Sequence, residues 1–301
     1  MFDRLTLSED VVDCRGAPIA RRGTVVSRES IAEAARQAPE LPRRALRDTP
    51  LAADVRVPLE EPGYRHLFDG AGVREAVAEA VLAVALPAAL FEELLAARRA
   101  GAPFHRHGFA TAAVAVRMYL SAVGRAPGIP DLAAAALLHD LGMRHIPAHL
   151  HAHPERLGDE DAHRIAAHPL VGAYHLASVL GPHPAVAAAE SHHWRCGQGY
   201  PGLPAAPSRS VEVVAVASAF AALTQPRSFR SGPYDARGAA DVLVHDAKAG
   251  QADANMVKLL VHALRGGRGD PRTVRLGHGR EGHAPLVNRH TPVAPPARSP
   301  V

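Results

Sequence analysis

A chain of 301 residues has room for two compact units, and its composition, 47% hydrophobic and 21% charged, is that of a globular protein. The formal charge of +4 is carried by scattered arginines without a basic stripe interleaved with aromatics, which argues against a nucleic-acid binder, duplexes included. Cys14 and Cys196 alone exclude a disulfide framework and a cysteine-based zinc module, and a reducing cytoplasm is the expected compartment.

From Leu5 to Val26, apolar stretches broken at Arg15-Gly16 and Arg22-Gly23 predict two or three small strands. Ser27 caps a predicted helix from Arg28 to Gln37, and Pro39, Pro42, Pro50, Pro58 and Pro62 mark an irregular connector. A domain boundary is expected near Pro62, leaving residues 1–62 as a small β/α unit with its connector. The apolar run Ala80 to Phe91 contains Pro87 and is too short to span a bilayer, so no membrane association is expected.

After Gly72 the pattern is helical: Val73 to Arg99, Phe109 to Val123 and Leu132 to His139, the last capped by Asp131. Asp159 caps a helix to about His168, and Pro169 and Pro184 sit in first turns. Ser208 or Ser210 starts a helix to Thr224, Asp235 one to Ala249 with Gly250 as its stop, and Asp253 one to Arg265. With only 4% aromatic residues, the core is built from Ala, Leu and Val, which favours closely packed helices. Residues 63–265 therefore read as one mainly α domain, and 266–301, rich in Gly, Pro and Arg, as a disordered tail.

The 19 histidines exceed what a chain of this size needs, and some recur at helix ends: His107, His139-Asp140, His168 and His192-His193. Neutral imidazole with ionised carboxylate suits Mn, Fe, Ni or Zn, and a carboxylate next to a histidine can bridge two ions. His145, His149, His151, His153, His163, His175 and His183 read instead as solvated or capping residues.

Leu137-Leu138-His139-Asp140-Leu141-Gly142-Met143 with Ile146-Pro147, then His168-Pro169-Leu170-Val171-Gly172, then His192-His193 with Gly197-Gln198-Gly199-Tyr200-Pro201, and finally Val214 to Thr224 with Arg227-Ser228-Phe229-Arg230, follow one another in order. This series resembles the HD-GYP branch of the HD phosphohydrolases. The resemblance implies an HD-type helical bundle behind a small β-containing unit. It implies His107, His139, Asp140, His168, His192 and His193 as ligands of divalent transition metal such as Fe or Mn, with His139 and Asp140 at the catalytic step. Gly199, Tyr200 and Pro201 would form a lip of the substrate groove, and Arg227 and Arg230 would meet phosphate. The implied reaction is metal-dependent hydrolysis of cyclic di-GMP or a related nucleotide.

Five positions depart from the family pattern. Ser218 stands where the family has a metal-binding Asp, Met143 where it has Lys, and Trp194 where it has Glu. Cys196 replaces an Asp, and Pro103 precludes the Glu some members use for a third ion. One ion is expected to be held well and a second weakly. The alternative is a catalytically degenerate signalling module that binds nucleotide or a partner protein. Pairing into a homodimer is left open.

Overall fold

The computed structural model describes residues 3–151, 157–196, 199–202, 205–277 and 282–289. The front of the chain forms two small antiparallel ribbons: β1 (Arg4–Thr6) pairs with β4 (Val25–Ser27), and β2 (Val11–Val12) with β3 (Pro18–Ala20). Four strands thus stand where two or three were expected, because strands of two or three residues show no countable alternation. Ser27 caps α1 (Arg28–Gln37) in a reciprocal capping box with Ser30.

The proline-rich connector is ordered. It holds β5 (Arg43–Ala45), 3₁₀ turns, α2 (Arg56–Glu60) and α3 (Arg65–Phe68). The predicted helix Val73 to Arg99 is split into α4 (Val73–Leu82), β6 (Ala85–Pro87) and α5 (Ala88–Arg99), with β6 paired to β5. Pro87 explains the break: its ring fixes φ, removes an N–H and disfavours helix at the residue before it.

The helical body continues with α6 (Pro103–Val123), α7 (Ile129–Leu138), α8 (Ala148–His151), α9 (Asp159–Ala166), α10 (His168–Leu180), α11 (Pro184–Ser191), α12 (Arg209–Thr224), α13 (Ala236–Lys248) and α14 (Ala254–Leu264). Helix α6 begins six residues before the expected Phe109, with Pro103 in its first turn, which brings His107 into a helix. Pro130 likewise moves the start of α7 ahead of Asp131, whose carboxylate lies in the first turn instead of capping it. Asp235 and Asp253 cap α13 and α14 as expected.

Helix α6 is the central post, packed by α4, α7, α12 and α14, while α11 leans on α7 and α10 on α11. Ala112, Ala113, Ala115, Ala133, Ala136, Ala217 and Ala221 are all buried, and their small side chains let these helices approach closely. The expected boundary at Pro62 does not divide the core, which runs unbroken from Leu7 to Ala263, with α1 packed on α10.

The described parts of the expected tail also contact the body. Arg289 donates its backbone N–H to the Phe229 carbonyl (2.9 Å), and Ser231 donates to Val287 (3.0 Å). Residues 278–281 and 290–301 lie outside the described residues. Among the described residues no helix is long and apolar enough to cross a membrane.

A buried carboxylate helps tie the front ribbons to the helical body. Glu93 on α5, 1% exposed, accepts the Cys14 backbone N–H (2.6 Å) and pairs with Arg144 (2.8 Å), while His175 lies 4.0 Å away. Burial raises the Glu93 carboxyl pKa, and Arg144 works against that. His175 is thus a core residue beside His145 (3.3 Å), against the expectation of a solvated or capping residue. Glu93→Ala is expected to leave Arg144 and the Cys14 amide without their partner and to destabilise the fold by about 3 kcal/mol, measured by urea unfolding.

Candidate metal centre

Four helices deliver the six singled-out residues to one point, and a fifth adds Ser218. His107 comes from the second turn of α6, His139 and Asp140 follow the end of α7, His168 opens α10, and His192 and His193 follow α11, while α12 brings Ser218. Two glycines allow this convergence. A Cβ on Gly142 would collide with the His168 carbonyl, and one on Gly172 would press on the Gly142 backbone, so the turn carrying Asp140 can lie flat against α10.

Asp140 sits between two groups. Its Oδ1 is 3.2 Å from His168 Nε2 and 3.3 Å from His192 Nε2, and its Oδ2 is 3.8 Å from Nε2 of both His107 and His139. Ligand atoms of Asp140, His168, His192 and His193 lie within 4.8 Å of one another, as do those of His107, His139 and Asp140. Cys196 is exposed and belongs to neither group.

Three rings are oriented by the backbone. Nδ1 of His139 donates to Ala136 O (2.7 Å), that of His168 to Ile165 O (2.7 Å), and that of His192 to Ala188 O (3.0 Å). A carbonyl only accepts, so each Nδ1 carries the proton, and in the neutral ring the Nε2 lone pair faces Asp140. Nε2 of His168 and Nε2 of His192 are only 3.2 Å apart beside the same carboxylate oxygen. Three acceptors facing one another without a donor call for a shared cation, and this donor set fits a divalent transition ion.

Burial lowers the pKa of His107 to about 4 and that of His139 to about 3, with Asp140 opposing in both cases. His193 is held well below the ordinary imidazole value by burial and then by His192 and His168. Burial works to raise the Asp140 carboxyl, yet the surrounding histidines, His139 foremost, hold it well below the ordinary carboxylate range. Neutral His107, His139 and His193 near an ionised Asp140 are in the protonation states that metal ligation requires.

The second group carries the departure. Ser218 Oγ is 3.1 Å from both His107 Nε2 and His139 Nε2. With the His139 proton on Nδ1, its Nε2 accepts the Ser218 hydroxyl proton, and His107 donates its own Nε2–H to Ser218 Oγ. The His107 Nδ1 agrees with this: it is buried without a partner of bonding geometry, with Gln225 beside it. A neutral hydrogen-bonded chain fills the place where the family pattern has a carboxylate.

The Gly199-Tyr200-Pro201 turn reaches the centre, although not as a free lip of a groove. The Tyr200 ring stacks on His193 (4.5 Å, 21°) and meets His168 edge-on (6.3 Å), so one of its two faces is already occupied. Gly197 and Gln198 lie outside the described residues.

The two arginines differ. Arg227 lines a small, partly open cavity with Pro103, Phe104, His107, Asp140, Met143 and His151. Arg230 points elsewhere, contrary to its expected contact with phosphate. Its guanidinium donates to the carbonyls of Ala222, Leu223 (2.9 Å) and Gln225 (3.4 Å) at the end of α12 and lies over Phe229 and Tyr234. Arg230 is a C-terminal helix cap, a reading available from its position six residues past Thr224. Phe104, which sequence reasoning passed over, and His151, read there as solvated or capping, wall the cavity. The signal for Phe104 was its place three residues before His107, on the same helix face.

A model of the HD domain family matches residues 89–256, more than half of the chain. The chain belongs to the HD domain family. The motifs from His139 to Arg230 all fall inside the matched span. The chain is similar to the 3'3'-cGAMP-specific phosphodiesterase 1 of Vibrio cholerae, 32% identical over 131 residues, which cover 42% of this chain and 30% of that relative. It also resembles two solved structures. One is the phosphodiesterase PgpH HD domain of L. monocytogenes in complex with cyclic-di-AMP (16% identity, TM-score 0.45, 57% of this chain and 93% of that one). The other is an HDG"Y"P protein from Bdellovibrio bacteriovorus (19% identity, TM-score 0.48, 71% and 69%).

Proposed function

We propose that this HD domain is a metal-dependent phosphodiesterase that hydrolyses a cyclic dinucleotide, with cyclic di-GMP the substrate that the motif resemblance favours. The observation that carries the reading is the Asp140 carboxylate, flanked at 3.2 and 3.3 Å by His168 and His192 with Nδ1 already committed to the backbone. Asp140, His168, His192 and His193 would hold one ion, Fe or Mn by donor type, while His107, His139 and Asp140 would hold a second weakly because Ser218 adds no charge. A bound divalent ion supplies Lewis acidity towards a phosphoryl oxygen and a water acidic enough to attack it. The relative from Vibrio cholerae, named for 3'3'-cGAMP, supports the substrate class.

The chain's own groups account for substrate placement. Arg227 faces the cavity beside Asp140, where a guanidinium would hold a non-bridging phosphate oxygen by charge-assisted hydrogen bonds. Phe104 and Met143 give that cavity an apolar wall that limits water.

A second reading, a binding module without turnover, is favoured by the hydrogen-bonded chain His107–Ser218–His139 and by Met143 in the cavity. Elemental analysis of protein purified without chelator, followed by turnover of cyclic di-GMP, 3'3'-cGAMP and cyclic di-AMP with added Mn²⁺ or Fe²⁺, separates the two. About one ion per chain with measurable hydrolysis is expected. Tight nucleotide binding by an ion-free, inactive protein would establish the module instead.

The arginines provide a further test. Arg227→Ala is expected to weaken cyclic dinucleotide binding by roughly 1.5 to 3 kcal/mol in calorimetric titration. Arg230→Ala is expected to lower stability through the uncapped α12 carbonyls and to leave affinity unchanged. Equal losses of affinity in both would remove the distinction between cavity and cap.

A further inference from the structure

Within the group of Asp140, His168, His192 and His193, His193 is oriented differently. His139, His168 and His192 are each fixed by an Nδ1 hydrogen bond to a backbone carbonyl, as ligand histidines usually are. Among the described residues no hydrogen bond fixes His193. What meets it is the ring of Tyr200, stacked at 4.5 Å and 21° on one side, with the His192 ring at 4.2 Å and the His168 ring at 5.1 Å also in contact.

The backbone secures this stack. A Cβ on Gly199 would collide with the carbonyl oxygen of His193 and crowd the Arg195 amide, so the residue before Tyr200 rests directly on the His193 main chain. Tyr200 is held in turn by its edge-on contact with His168, which ties the stack to α10. Burial raises the pKa of its phenol, so the ring stays neutral at every ordinary pH. Among the described residues no hydrogen bond engages the phenol oxygen, which leaves the ring face as the part in use.

We infer that Tyr200 is the positioning residue for His193: its ring face does for this imidazole what a carbonyl does for the other three, and so sets metal affinity in the group of Asp140, His168, His192 and His193. The inference rests on the proposal that His193 is a ligand. It assigns the Gly199-Tyr200-Pro201 turn a task inside the metal centre, where the family resemblance had implied contact with substrate.

The test is a double-mutant cycle read by chelator competition with Mn²⁺ on the full chain, with circular dichroism and apo melting temperature recorded for each variant. His193→Ala examines the underlying reading, and affinity equal to wild type there would overturn that reading itself. Tyr200→Leu is expected to weaken Mn²⁺ binding by roughly 10- to 100-fold, the effect of losing a group that orients a ligand. Tyr200→Phe, which keeps the ring, is expected to match wild type and serves as the informative variant should Tyr200→Leu not fold. In the His193→Ala background, Tyr200→Leu is expected to add no further loss. A Tyr200→Leu protein that melts earlier but binds Mn²⁺ like wild type would show a packing role and overturn the inference. So would a loss in Tyr200→Phe as large as that expected for Tyr200→Leu, since it would assign the effect to the hydroxyl.

Discussion

Asp140→Asn is expected to remove bound metal from the protein and to lower hydrolysis by more than about 10³-fold, beyond the loss from a single electrostatic stabiliser. Asp140 is the residue the two ligand groups share, with Oδ1 towards His168 and His192 and Oδ2 towards His107 and His139. Asn keeps the shape and removes the charge, and imidazoles without a carboxylate hold a hard divalent ion poorly. The apo protein should not suffer. The new amide can donate to the Nε2 lone pairs that face it, which relieves the crowding of acceptors around Oδ1. The expected pattern is an apo melting temperature equal to or above wild type together with loss of the rise that metal produces in wild type. Elemental analysis and melting with and without Mn²⁺ measure both halves. Retained metal at wild-type stoichiometry would show that Asp140 is not the bridging group.

The convergence of these residues was legible because they are written at helix ends. His139-Asp140, His168-Pro169 and His192-His193 each fall where a helix starts or stops, and those positions are set by local signals such as Pro169, Pro184 and the apolar run before His139. His107 was legible by order alone, since the helix that carries it begins earlier than its apolar pattern suggested. The irregular connector was not legible: β5 takes its partner, β6, from about forty residues away, and no local pattern encodes such pairing. Arg230 shows a different limit. A basic residue after a helix satisfies both a phosphate-binding reading and a capping reading, and only the carbonyls of Ala222, Leu223 and Gln225 decide between them. Tyr200 is similar, because a motif residue beside a site can face substrate or support a ligand, and the sequence carries no term for orientation.

Ser218→Asp is expected to raise bound metal from about one ion per chain towards two and to increase hydrolysis with it. In wild type the Ser218 hydroxyl satisfies His107 and His139 at 3.1 Å each, so an ion entering that group must break two hydrogen bonds and gains no new charge in return. A carboxylate at 218 reverses both terms: it supplies the charge, and as an acceptor it cannot donate to the His139 Nε2, so the lone pair is released. Ser218 is 7% exposed, and an unpaired carboxylate there is costly without an ion. The apo variant should therefore be less stable than wild type, and added Mn²⁺ should restore it. Met143 lines the cavity where the family pattern has a lysine, so recovery by Ser218→Asp alone is expected to be partial. Ser218→Asp with Met143→Lys should exceed the single change by roughly tenfold or more, as one added electrostatic stabiliser would. If wild type already holds two ions and turns over rapidly, the Ser218 chain opens readily and the second group is intact. If neither variant gains metal or activity, the centre serves binding alone, and the nucleotide-binding module is the better account of the chain.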